Sequence, residues 1–276
     1  MRSSVTISLV PEARGGPFIF WDDLEAGCAA AASLGFDGIE IFAPAAEAID
    51  ARALRDLLKR FHLELAAMGT GAGWLKQQLR LTDPDPAVRR RAVDFINAII
   101  DLAGSFGAPA IIGSMQGRWG EPSVTRSQAL DWLREALEQL GPRAHQHGVP
   151  LLFEPLNRYE TNLINTVADG LELIRSVRTQ NVRLLCDLFH MNIEENSIAG
   201  SLQAAGAQLG HVHWVDSNRR AMGWGHTETR PIVKVLREIG FSGYLSAEAL
   251  AWPDSLEAAR QTKSSLDRVL SEPFDR

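Results

Sequence analysis

Eight short apolar or β-branched runs, at residues 5–10, 38–42, 64–68, 109–113, 150–154, 182–187, 210–215 and 244–249, alternate along the chain with longer segments of helical period. The helical segments fall at 21–34, 45–60, 86–106, 126–147, 167–177, 198–209, 231–239 and 255–270, the third opening on the helix-starting pair Asp85-Pro86. Strict alternation implies parallel strands joined by helical crossovers, and eight repeats imply closure into a (β/α)₈ TIM barrel. Gly35, Gly107, Gly148 and Gly240 each stand where a helix should end, which supports the register. A chain of 276 residues, 45% of them apolar, is long enough to fill one such barrel as a single domain over 1–276. Two longer connections, 69–85 and 114–125, are rich in Gly, Trp or Arg, and loops on that side of a barrel build the active site.

Four metal-capable side chains end four successive runs: Glu154 in LLFEP, Asp187 in LLCDLFH, His213 in GHVHW and Glu248 in YLSAEA. The gaps between them, 33, 26 and 35 residues, match one βα unit each, so the four should sit at the mouths of neighbouring strands. Three carboxylates and one imidazole supply hard oxygen donors with one borderline nitrogen, which suits one divalent cation, Mn²⁺ first, with Mg²⁺ or Co²⁺ as alternatives. Such an ion, chelated by a ketone oxygen and the neighbouring hydroxyl, stabilises the ene-diolate formed when the intervening carbon loses its proton. The plainer reading is that Asp187 and Glu248 cap helices or pair with arginines at strand ends.

Charge and cysteine content narrow the partners. With 28 Lys+Arg against 34 Asp+Glu the net charge is −6, which argues against a nucleic-acid or anionic-membrane footprint and leaves a small molecule as the expected partner. Cys28 and Cys186 fall inside buried elements in no metal-like pairing, so a reducing cytoplasm is expected. The N-terminal apolar run is too short for a signal peptide, and no stretch reaches the ~18 apolar residues of a membrane helix.

The segments FEPLNRYETNLINT (153–166), CDLFHMNIEE (186–195) and HVHWVDSNR (211–219), with the later GHTE and SAE stretches, resemble the ketose 3-epimerase branch of the xylose-isomerase-like barrel superfamily. MGTGAGW (68–74), LTDPDPAVRRRAV (81–93) and IIGSMQGR (111–118) are further similar to the 5-keto-L-gluconate epimerase type of that branch. The resemblance runs from about Val5 to Leu270. It implies that Glu154, Asp187, His213 and Glu248 bind the metal, that Glu154 and Glu248 are also the two catalytic acid–base groups, and that Glu160, His190 and Arg219 contact substrate oxygens. It also implies a homo-oligomer. One departure is Leu188, where relatives often carry a small hydroxyl residue.

The residues themselves speak to these second roles unequally. His190, just past the strand end, can donate to a substrate oxygen or bond a loop carbonyl. Glu160 can turn back over the site or pair with Arg158 on the surface. His211 and His213 alternate on one strand and share a face, His211 lying deeper as a core residue or a support for its neighbour. Trp74, Trp119, Trp214 and Trp224 can wall a sugar pocket or simply pack. Arg118, in SMQGRWG, is the leading candidate to bind a substrate carboxylate bidentately, with Arg158, Arg219 and Arg220 on the same rim; a solvated loop arginine is its alternative.

The expected activity is therefore a divalent-metal-dependent epimerase or isomerase of a ketose or keto-sugar acid. An inosose dehydratase-type lyase would share its first step. A DNA-repair endonuclease of the AP type would need a histidine-rich multi-zinc cluster and a basic face, and the third and fourth strands carry no histidine. A non-catalytic sugar-binding barrel is the remaining alternative.

Overall fold

The computed structural model describes residues 1–120 and 123–271. Its strands are β1 (Arg2–Ser8), β2 (Phe20–Trp21), β3 (Gly38–Phe42), β4 (Glu64–Gly69), β5 (Ala110–Ile112), β6 (Leu151–Phe153), β7 (Val182–Asp187), β8 (Leu209–His213) and β9 (Tyr244–Ala247). All pair in parallel: from β3 to β9 each pairs with the next, and β1 pairs with both β3 and β9, which closes an eight-stranded barrel. The two-residue β2 lies outside that count, paired to the last residues of β1.

Around the barrel run α1 (Leu24–Ser33), α2 (Ala51–Phe61), α3 (Ala72–Gln77), α4 (Pro86–Gly104), α5 (Arg126–Gln146), α6 (Val167–Ser176), α7 (Leu188–Glu194), α8 (Ile198–Ala205), α9 (Thr229–Glu238) and α10 (Ser255–Ser271). Side-chain caps start most of them. Asp85 accepts from Ala87 N with Pro86 in the first helical turn, and Thr125 forms a reciprocal capping box with Gln128. Gly107 and Gly148 leave their helices at φ of 71° and 72°, the left-handed region that an L side chain enters only at a cost. Among the described residues no helix is long and apolar enough to cross a membrane.

Differences from expectation have local causes. The helix expected from residue 21 begins at Leu24, because Phe20–Trp21 is drawn into the sheet and Asp23 then caps the helix. The helix expected at 45–60 splits into a 3₁₀ turn at Ala46–Ala48 and α2, since Asp50 accepts from Arg52 N and Ala53 N and restarts the helix. Helices α3 and α7 lie in loops read as irregular, and the helix expected at 198–209 ends at Ala205. The first strand begins at Arg2 rather than residue 5, and β8 stops at His213 rather than 215.

Residues two apart on a strand share a face. Odd and even positions therefore separate the core between barrel and helices, which holds Val5, Ile39, Phe153, Cys186 and Val212, from the barrel interior. The interior has an apolar plug of Ala67, Ile111, Leu152 and Leu185 contributed by β4 to β7. Along those strands and their neighbours, Leu152, Leu185, His211 and Ser246 lie two positions before Glu154, Asp187, His213 and Glu248. One inward row thus forms the floor and the next reaches the mouth.

Candidate active site

The four strand-end residues converge. One ligand atom from each of Glu154, Asp187, His213 and Glu248 lies within 4.8 Å of the others. His213 Nδ1 is the centre of the group, 3.2 Å from Asp187 Oδ2 and 3.4 Å from both Glu154 Oε1 and Glu248 Oε2. Both plain readings of the acids are also realised. Asp187 Oδ1 caps α7 by accepting from Phe189 N and His190 N, and Glu248 Oε2 accepts from Arg219 Nη2 at 2.9 Å. A carboxylate has two oxygens, so Asp187 holds a helix with one and faces the cage with the other.

Concentrating acids out of water shifts their proton affinities. Burial pushes the Glu154 carboxyl up to about 8, with the nearby Glu248 and Asp187 charges adding to it and His213 opposing. Burial opposes charge on His213, but the carboxylates around it, Glu248 and Glu40 foremost, raise its pKa well above the ordinary value. Asp187 goes the other way: burial would raise it, yet the positive charges of His213 and Arg219 hold it well below the usual carboxylate range. The donor set fits a divalent cation on its chemistry, and Glu154 Oε1 is a buried acceptor with no hydrogen-bond partner.

A second group faces the cage from the loops. His190 is buried, and burial lowers its pKa to about 4, so the ring is neutral. Asn157 Nδ2 at 2.7 Å and Asn157 N at 3.4 Å both donate to its Nδ1, which outweighs the single 3.4 Å approach of Arg219 Nη1 to Nε2 and assigns the ring proton to Nε2, 3.9 Å from Glu154 Oε1. Glu160 pairs with Arg219 rather than with Arg158, which is taken by Glu194. Arg219 has a left-handed φ of 60°, stacks its guanidinium 4.7 Å from the Phe189 ring centre and leaves Nε buried without a partner. Asp216 holds the turn carrying it, accepting from the backbone N–H of Ser217, Gly223, Gly225 and Thr227.

Arg118 is not brought to the pocket. It is exposed, and its Nη2 donates to the carbonyls of Tyr159 and Glu160 at 3.1 and 2.8 Å, while Thr161 Oγ1 donates to Gly117 O. Its loop is fastened to the loop of Glu160, so the charge is spent on backbone oxygens. The four tryptophans are likewise absent from the cavity: Trp214 is fully buried, and Trp224 meets Trp252 edge-on. The cavity, about 150 Å³, is instead walled by Phe18 and Phe42, stacked at 4.6 Å, with Thr70 and Ser114 nearby.

Three contributors escaped the sequence pattern. Glu40 interrupts the apolar run GIEIF, which was the available signal, and it binds both His211 and His213. Asn157 lies between Glu154 and Glu160 in a segment already singled out. Gly113 is a steric case: a Cβ there would stand 2.6 Å from Glu154 Oε2.

A closed parallel barrel with four ligand-type residues gathered at its strand ends is a sugar-enzyme scaffold carrying a candidate metal site. The chain belongs to the xylose isomerase-like TIM barrel family, whose profile matches residues 28–269, and it fits the ketose 3-epimerase-like branch. It is 32% identical over 220 residues to the D-psicose 3-epimerase of Ruminiclostridium cellulolyticum, covering 79% of this chain and 75% of that one. It is also 32% identical over 178 residues to the 3-dehydro-D-guloside 4-epimerase of Escherichia coli, covering 58% and 67%. The crystal structure of a D-allulose 3-epimerase from Methylomonas sp. in complex with D-allulose superposes with a TM-score of 0.82 at 26% identity, over 97% of each chain.

Proposed function

We propose that the protein epimerises a ketose at the carbon beside its carbonyl, with Glu154, Asp187, His213 and Glu248 holding one divalent cation and Glu154 and Glu248 exchanging the proton. The observation that carries this reading is the approach of two carboxylates, from β6 and β9, to the same imidazole nitrogen at 3.4 Å. Epimerisation needs one group to take the carbon-bound proton from one face and another to return a proton to the opposite face. A bound cation would act as a Lewis acid toward the carbonyl and neighbouring hydroxyl oxygens. The neutral His190 offers Nε2–H to a substrate oxygen, and Arg219 Nε offers a further donor. Phe18 and Phe42 exclude water from the far wall.

The lining favours an uncharged sugar over a sugar acid. Its only arginine is Arg219, whose two terminal nitrogens already serve Glu160 and Glu248, and no lysine lines it among the described residues. A carboxylate at the far end would be desolvated without a partner. The test is an NMR product screen in D₂O with added Mn²⁺ against ketohexoses, 5-keto-hexonates and inososes. Deuterium at the carbon beside the carbonyl in an epimeric pair of ketohexoses is the expected result. Turnover of the 5-keto-hexonates alone would return the reading to a sugar acid, a dehydrated inosose would make the protein a lyase, and no exchange with any sugar would sink the proposal.

A further inference from the structure

Glu40 takes no part in the chemistry above, yet it is a carboxylate only 4% exposed on β3, a strand that contributes nothing to the cage. Its two oxygens are divided between two imidazoles: Oε2 lies 2.9 Å from His211 Nε2 and Oε1 lies 3.2 Å from His213 Nε2. Among the described residues, no lysine or arginine ion-pairs with it. An ionised carboxylate only accepts, so both contacts are N–H donations and both rings carry a proton on Nε2. For His213 that leaves Nδ1, the atom facing Asp187, Glu154 and Glu248, as the nitrogen that would take a cation in exchange for any proton it holds. The same bond fixes the rotation of the ring about its last side-chain torsion, which packing against the smooth apolar plug would constrain less.

His211 completes the arrangement. A buried carboxylate in register with Ala67 of β4 needs both oxygens satisfied, and His213 can serve only one. His211 supplies the second N–H, its ring perpendicular to that of His213 with centroids 5.6 Å apart. We infer that Glu40 and His211 are a positioning pair that sets the tautomer and orientation of His213, and through it the affinity of the cage for its cation. The inference rests on His213 being a ligand. The alternative, that Glu40, His211 and His213 hold a second cation of their own, is geometrically open because their donor atoms lie within 4.8 Å. It is disfavoured because each Nε2 would surrender the proton it now gives to Glu40, and His213 would have to serve two ions at once.

Calorimetric titration of the purified chain with Mn²⁺, and histidine ¹⁵N NMR of the Zn²⁺-loaded chain, test the pair. Glu40→Gln offers one acceptor oxygen for two N–H groups and should weaken Mn²⁺ binding by about 10–100-fold, the range typical of lost support to a ligand histidine. It should also remove the well-defined Nε2–H signature of His213. His211→Gln, which keeps a donor, should weaken binding less, in the same direction. The stoichiometry should remain one ion per chain. Leu152→Val, a packing change in the same interior, should lower Tm and leave Mn²⁺ affinity unchanged. Should Glu40→Gln fail to fold, His211→Gln carries the test alone. Unchanged Mn²⁺ affinity in the folded variants, equal weakening in Leu152→Val, or two ions per chain would overturn the pairing. His213→Ala separates the two levels: undiminished binding there removes the cage itself, whereas loss there with an unaffected Glu40→Gln removes only the positioning role.

Discussion

Arg219 Nη2 lies 2.9 Å from Glu248 Oε2, the same oxygen that faces His213 Nδ1 at 3.4 Å. One carboxylate oxygen is therefore shared between an arginine and the nitrogen that defines the cage. The arginine is 14% exposed and 3.9 Å from Asp187 Oδ2, so its positive charge works against any cation placed there. Arg219→Met should then bind Mn²⁺ as tightly as the parent or a few-fold more tightly, while kcat/KM falls about 100-fold through lost contact to substrate oxygens. Opposite signs for the two readouts distinguish this role from general disruption. If both decline together, Arg219 is part of the cage's scaffold and not a substrate contact.

Removal of a ligand should have the opposite pattern. His213→Ala and Asp187→Ala each take one of four donors from a site whose apolar surroundings stay in place, and each should weaken Mn²⁺ binding by at least about 100-fold. Asp187→Ala should cost stability as well, because Asp187 Oδ1 caps α7; loss of such a cap is worth about 1 kcal/mol. Titration calorimetry with thermal melts of the metal-free chains would separate the two effects. Undiminished affinity in both variants would dismantle the cage.

The four cage residues were legible because a β-strand repeats every two residues and its barrel mouth is the place where a charge can end an apolar run, as in LLFEP and LLCD. Asp187 shows the limit of weighing a cap against a ligand as alternatives, since its two oxygens do both. What remained hidden depends on long-range closure. Phe18, from the connection between β1 and β2, stacks on Phe42 at the end of β3, and nothing in either segment marks the stack. The direction of a loop side chain is equally silent in sequence: Arg118 and Arg219 both occupy rim loops, but one turns to backbone carbonyls and the other into the site.

The protons held by the cage residues set the pH dependence of metal binding. Glu154 is held up at about 8 and His213 well above its ordinary value, so near neutral pH both carry a proton that a cation must displace. Mn²⁺ affinity should therefore fall as pH drops below 8, by up to about tenfold per unit for each proton released. For the metal-free protein the sign is the reverse. Both groups have raised folded-state pKa values, so their contribution to stability is complete below the unfolded-state values and is lost as pH rises through the folded ones. Calorimetry at pH 7 in buffers of different ionisation enthalpy would count the protons, and a count of zero would contradict the raised Glu154.

Glu154→Gln and Glu248→Gln should each lower kcat by about 10³-fold or more, as expected when a proton acceptor is replaced by an amide that cannot take the proton. Each variant must be assayed at saturating Mn²⁺, because each also loses a charged ligand. The two should differ in solvent exchange: with one carboxylate left, the remaining face of the substrate can still lose deuterium to water, so one epimer should wash out and the other should not. If both variants turn over normally when fully metal-loaded, proton transfer does not run through these carboxylates.

Arg118 gives a prediction opposite to that of a carboxylate clamp. Its guanidinium joins the Glu160 loop to its own through two carbonyls, alongside Thr161 to Gly117 and three bonds between Trp119 and Asn162. Cutting one strut among several should loosen the position of Glu160, and with it Arg219, without touching any charge on the substrate. Arg118→Met should accordingly reduce kcat/KM by about 3–10-fold, for neutral ketohexoses and 5-keto-hexonates alike, in line with the loss of an exposed, charge-assisted hydrogen bond of about 1 kcal/mol. A paired measurement of both substrate types in parent and variant decides the point. A loss confined to the acids would place Arg118 on the substrate carboxylate after all, and would require the loop carrying it to turn inward when substrate binds.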